Sequence, residues 1–137
     1  MSEGQKAEDY DKYWVEQAVD FYKLVGKDIA LAEFSNANGM FVQGDLYVFI
    51  LSPAGIMLAH GLNKDFVGLD FLGVKDSSGK TFYKEIVDNA KSKGSGLVKY
   101  NLFQPRKNKI LPKLVYFKKE DDLIFCAAGY NFEDLTA

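Results

Sequence analysis

The side chains of this 137-residue chain best suited to chemistry are its single histidine, His60, the lysine set among apolar residues, Lys113, and three tyrosines in strand-like runs, Tyr47, Tyr100 and Tyr116. An imidazole titrates near neutrality, an ammonium carries three donors and a full charge, and a phenol both donates and accepts. Gathered on one sheet face, such groups would hold a small anion by charge-assisted hydrogen bonds. Other chemistries lack their residues. There is no Gly-rich phosphate loop and no His-Glu helix motif, and a lone histidine cannot build the usual His-based zinc site. Asp76-Ser77-Ser78-Gly79 lacks the alternating acidic ligands and closing Glu of a calcium loop, so it reads as a turn. No serine sits in a nucleophile elbow. We therefore expect a non-enzymatic protein with no catalytic residue, metal or cofactor; the rival is a small enzyme using His60 and a tyrosine as acid and base.

The elements that must position these groups begin with a hairpin. Gly44 to Leu51 and Ile56 to Gly61 are short apolar and aromatic runs separated by Ser52-Pro53-Ala54-Gly55. Strict alternation places Tyr47, Phe49 and Leu51 on one face of the first strand, and Leu58 with His60 on the second. Later come three strand-like runs, Gly96 to Phe103, Lys109 to Lys118 and Leu123 to Tyr130. Alternation there groups Val98, Tyr100 and Leu102, and separately Leu114 with Tyr116. Lys113 follows Pro112 at the head of an apolar strand, where an ammonium either snorkels to water or meets an anion. Its parity differs from that of Tyr116, so both share a face only if a bulge twists the strand. Each residue taken singly has a blander use, as a core or cross-strand partner.

Ahead of the hairpin, Trp14, Ala18, Phe21 and Val25 recur at helical spacing, broadened by Val15, Val19 and Tyr22, which predicts a helix from Tyr10 with a bend at Gly26 and a stop near Ser35. Residues 61–70 read as an irregular connector. Phe82, Ile86 and Ala90 predict a second helix, with Lys91 and Lys93 in its last turn and Gly94 beyond. The order helix, hairpin, connector, helix, three strands describes an α+β domain with a mostly antiparallel sheet carrying helices to one side. We expect a polar, disordered stretch over 1–9, one domain over 10–131 and a tail over 132–137.

Composition bounds the partners. A net charge of −2 gives no broad attraction to nucleic acid or acidic lipid, and the 47% hydrophobic and 26% charged content is that of a soluble globular domain. No apolar run is long enough to insert into a membrane. Cys126 alone excludes an intrachain disulfide without settling the compartment, so periplasmic and cytoplasmic locations both stand on composition, and an exported protein would have lost its targeting segment.

The segments Gly26-Lys27-Asp28, Ala32-Glu33-Phe34, Asn38-Gly39-x-Phe41, Asp45-Leu46-Tyr47-Val48-Phe49, Leu58-Ala59-His60-Gly61-x-Asn63, Val67-Gly68, Asp76-x-x-Gly79-Lys80, Ala90-Lys91-x-Lys93-Gly94-x-Gly96, Tyr100, Pro105, Pro112-Lys113-x-x-Tyr116 and Ala128-Gly129-Tyr130, in that order, resemble the single Cache domain family, type 2. The resemblance implies a long N-terminal helix packed on a PAS-like, mostly antiparallel sheet of five to six strands. It also implies an extracytoplasmic, periplasmic sensor module of chemoreceptors and histidine kinases that binds a short carboxylate of the acetate, propionate, pyruvate or lactate type. On matching positions it points to Tyr47, His60, Tyr100, Lys113 and Tyr116 as ligand-binding residues, with Phe49 and Leu58 as the apolar side. Pairing of two copies through the first helix is expected in the intact protein. Family receptors continue into a membrane helix after the last strand, whereas this chain ends at Ala137, which implies an excised sensor or a free-standing periplasmic binding protein.

Overall fold

The computed structural model describes residues 3–104 and 107–130; the expected tail over 132–137 and Pro105 lie outside the described residues. The first helix, α1, spans Glu3–Val25. It starts before Tyr10 because Glu, Gln, Lys and Ala between residues 3 and 8 are good helix formers, with no proline to stop them. Gly26 breaks it, at φ 89 and ψ 169, where a side chain would be strained. The shorter α2 follows over Lys27–Phe34.

Among the described residues, six strands form one sheet, β1 Val42–Gln43, β2 Leu46–Leu51, β3 Met57–His60, β4 Ser95–Gln104, β5 Lys109–Glu120 and β6 Leu123–Tyr130. Every pairing is antiparallel, in the order β1-β2-β6-β5-β4 with β3 also on β2. The β2–β3 turn is held by Ser52, whose Oγ accepts from the N–H of Ala54 at 3.2 Å and of Ile56 at 3.1 Å, and by Gly55 at φ 85. The ladder slips by one residue between Ile50 and Leu51, so the β2–β3 hairpin carries a bulge. The β4–β5 ladder runs without a break from Ser95↔Lys118 to Gln104↔Lys109.

Helices cover both faces, which corrects the expectation that they lie to one side. α1 and α2 set Val15, Ala18, Val19, Ala30 and Phe34 against Val48, Ile50, Phe125 and Ala127. Phe34 anchors this layer edge-on to Phe41 at 4.9 Å and Phe125 at 6.0 Å. Each such ring buried contributes about 1.5–3 kcal/mol. On the other face lie the connector and α3, Phe82–Lys93, which buries Phe82, Tyr83, Ile86, Val87 and Ala90 at helical spacing. Gly94 ends α3 at φ 85, and its N–H reaches Ala90 O at 2.9 Å.

Asp76 holds the connector to the sheet. Its Oδ1 accepts from Ser78 N–H, Ser78 O–H and Lys80 N–H at 2.8–2.9 Å, and its Oδ2 accepts from Asn101 N–H of β4 at 2.9 Å. Burial by itself would raise this carboxyl's pKa, but the four hydrogen bonds pull it down to about 2.

Candidate functional site

The face of the sheet under α3 gathers five of the seven expected residues. Tyr47 and Phe49 alternate onto it from β2, and Tyr100 of β4 sits directly opposite Lys113 of β5, so those two side chains share the face. The β2–β3 bulge decides which part of β3 joins them. Met57 pairs with Leu51 and His60 with Phe49, placing both under α3, whereas Leu58 is left over and packs half-buried against the α1 side. Leu58 is therefore not beside His60, contrary to strict alternation. Tyr116 also lies on the α1 side, opposite Ala127 and Leu97, because no bulge interrupts β5 to bring it onto the face of Lys113.

Lys113 is only 5% exposed and sits in the body of β5, so it does not snorkel. Its Nζ donates to Tyr47 Oη at 3.2 Å and lies 4.7 Å from the centre of that ring, a cation–π geometry. With its oxygen accepting from Lys113, Tyr47 keeps its own O–H to donate elsewhere. His60 is packed between rings: Tyr47 at 4.8 Å, Phe49 nearly parallel at 5.9 Å, and Phe66 edge-on at 5.0 Å. Its Nδ1 accepts the backbone N–H of Leu62 at 3.2 Å and of Asn63 at 3.0 Å. Those two bonds place the ring proton on Nε2. Burial first, and the charge of Lys113 second, lower the imidazole pKa to about 4. At neutral pH the ring is thus an uncharged donor through Nε2–H.

Three side chains that sequence reasoning overlooked complete the cluster. Tyr83 of α3 packs on Phe49 at 5.8 Å and Phe71 at 5.0 Å, and burial raises its phenol pKa. Phe66 and Phe71 face each other at 5.2 Å. Tyr83 was legible, since it precedes Ile86, Val87 and Ala90 at three, four and seven residues; Phe66 and Phe71 lie in the connector, where no periodicity marks a buried face. Tyr100 stacks on Phe82 at 3.9 Å and 6°. The result is a buried aromatic setting with an ammonium, a phenol O–H and an imidazole N–H, all suited to donate to an anion.

Elsewhere, a groove of about 530 Å³ opens between α1 and the chain around β1, lined by Tyr13, Trp14, Phe21, Met40 and Phe41 among others, and none of the expected site residues reaches it. Among the described residues no three His, Cys, Asp or Glu side chains cluster as a metal site, and no helix is long and apolar enough to cross a membrane.

Compared with known proteins, residues 27–135 match the family model described as Single Cache domain 2. No curated protein matches the chain. Among solved structures, a methyl-accepting chemotaxis protein from Vibrio parahaemolyticus RIMD 2210633 is 20% identical with a TM-score of 0.79, over 94% of this chain and 91% of that one. A Cache chemosensory domain described for carboxylic acid recognition is 23% identical at TM-score 0.75, over 92% and 94%. The periplasmic sensor domain of a chemotaxis protein is 20% identical at TM-score 0.68, over 93% and 94%. At these identities the likeness establishes a shared fold.

Proposed function

The chain belongs to the single Cache domain 2 family of small-molecule sensor domains, and on that premise we propose that its α3-side cluster binds a short monocarboxylate. The observation that carries this reading is the ammonium of Lys113, 5% exposed and set on the ring of Tyr47. A buried ammonium is a strong charge-assisted donor to a carboxylate, and Tyr47 O–H and His60 Nε2–H supply further donors beside it. Phe49 supplies an apolar wall for a short hydrocarbon tail, and each methylene gained or excluded shifts affinity by about 0.8 kcal/mol. Tyr100 braces the Lys113 rung, and the remaining two expected residues, Leu58 and Tyr116, drop out of the site.

The Cache chemosensory domain described for carboxylic acid recognition lends this reading support by analogy of fold, as does the periplasmic sensor domain for an extracytoplasmic location. His60, with its pKa near 4 and its Nδ1 occupied, is a weak base, which favours binding over turnover. The exposed Tyr10, Tyr13 and Leu24 on α1 favour pairing of two copies through that helix. A thermal-shift screen of two- to four-carbon acids tests the reading. An acid at about a hundred times its dissociation constant adds roughly 2.7 kcal/mol of stability and raises the melting temperature by several degrees. No shift with any of these acids would count against it.

A further inference from the structure

Across the sheet from the aromatic cluster, Asp11 of α1 is 2% exposed and its Oδ2 has no hydrogen-bond partner. The carboxyl stands over Gly129 of β6, where a built Cβ would lie 3.7 Å from Oδ1. Gly129 pairs with Leu114, one rung from Lys113. The absent side chain lets α1 seat a buried acid on one face of the sheet, one rung from the β5 position whose ammonium is buried on the other.

An ionised carboxylate with one oxygen unpaired is unfavourable in such an interface, and burial raises the Asp11 pKa to about 9 against the opposing pull of Lys113. Among the described residues, the strands beneath Asp11 present apolar side chains. β6 presents Gly129 and Ala127, β5 presents Leu114, and β2 presents Leu46, while one turn away on α1 stand half-buried Glu8 and the apolar Val15. Among the described side chains, Tyr47, Tyr100 and the neutral His60 share the face of Lys113.

We propose that Asp11 is a positioning residue for anion binding that acts through Lys113: neutral, it leaves the ammonium's field to an anion on the α3 face, and ionised, it competes with that anion. This rests on the carboxylate-binding reading above. When an anion binds to the protein with Asp11 ionised, the Asp11 carboxylate takes one proton from solvent, and no other bond changes. Short carboxylic acids remain ionised throughout the range where Asp11 titrates, so the linkage belongs to the protein.

The test is titration calorimetry of the full chain with acetate, propionate, pyruvate and lactate in turn, from about pH 7 to about pH 10, for the wild type and Asp11→Asn. The wild-type dissociation constant should rise about tenfold more across this range than that of the variant, as expected when a buried like charge appears nearby. At about pH 9, two buffers of different ionisation enthalpy should reveal uptake of up to about half a proton per ligand in the wild type and none through Asp11 in the variant. Identical pH profiles overturn the proposal. If Asp11→Asn fails to fold, the carboxyl ¹³C resonance of Asp11 in the wild type decides: its midpoint must move up when the acid is added, and an unmoved midpoint overturns the proposal. Binding with no Asp11-dependent profile removes only this proposal, whereas no binding of any acid removes the reading beneath it as well.

Discussion

His60→Asn separates the titrating ring from the acceptor it supplies. An Asn oxygen can take over the N–H groups of Leu62 and Asn63 that Nδ1 now accepts, while the ring against Tyr47, Phe49 and Phe66 is lost and nothing titrates. The wild-type ring has a pKa of about 4 when folded, against about 6.5 unfolded. Below 6.5 the unfolded chain therefore binds the proton more readily. The contribution of neutral His60 is present above 6.5 and lost as pH falls toward 4, amounting to about 3 kcal/mol by linkage. Asp11 shifts stability the opposite way, because its raised pKa favours the folded state at low pH and that contribution fades as pH rises through about 9. Asp11 titrates in both proteins, so it cancels in the difference. Denaturant unfolding at about pH 7.5 and about pH 4 should show the advantage of wild type over His60→Asn shrinking by about 3 kcal/mol. An advantage that stays constant with pH would refute the reasoning that burial and Lys113 keep this imidazole neutral.

Asp76→Ala leaves the N–H groups of Ser78, Lys80 and Asn101 without their acceptor and should cost about 2–4 kcal/mol in unfolding free energy. The wild-type contribution of Asp76 is present above about pH 4 and lost as pH falls toward 2, so acid unfolding curves of the two proteins should converge there. Tyr47→Phe removes the oxygen that Lys113 contacts and should weaken carboxylate binding by about 1.5–3 kcal/mol in calorimetry, whereas Tyr116→Phe, on the opposite face, should leave affinity within about twofold.

Much of this fold is legible in the sequence because its signals are local. The stripe from Val15 to Tyr22, the turn at Ser52–Gly55 and the alternation of Tyr47 with Phe49 each follow from chain geometry within a few residues. The parity conflict between Lys113 and Tyr116 was visible too, and an unbroken β5 ladder resolves it by sending them to opposite faces. The misplacement of Leu58 has a different origin. A bulge between Ile50 and Leu51 shifts the register of β3, and nothing within the run from Met57 to His60 announces it. Tertiary contacts also decide that α3 takes the far face and that Asp11 is buried over Gly129. An acid at position 11 of a polar helix start reads as a solvated residue until the strand beneath it is known.

Lys113→Met tests the central claim most directly, since it replaces the buried ammonium by an apolar chain of similar length. Replacing a buried charge in this way is often neutral or stabilising, so the variant should fold and unfold much like the wild type. Calorimetry with the acid that gives the largest thermal shift should then find affinity lowered roughly ten- to hundredfold, the loss of about 1.5–3 kcal/mol from a charge-assisted contact. A well-folded Lys113→Met protein that binds that acid as tightly as the wild type would contradict the account.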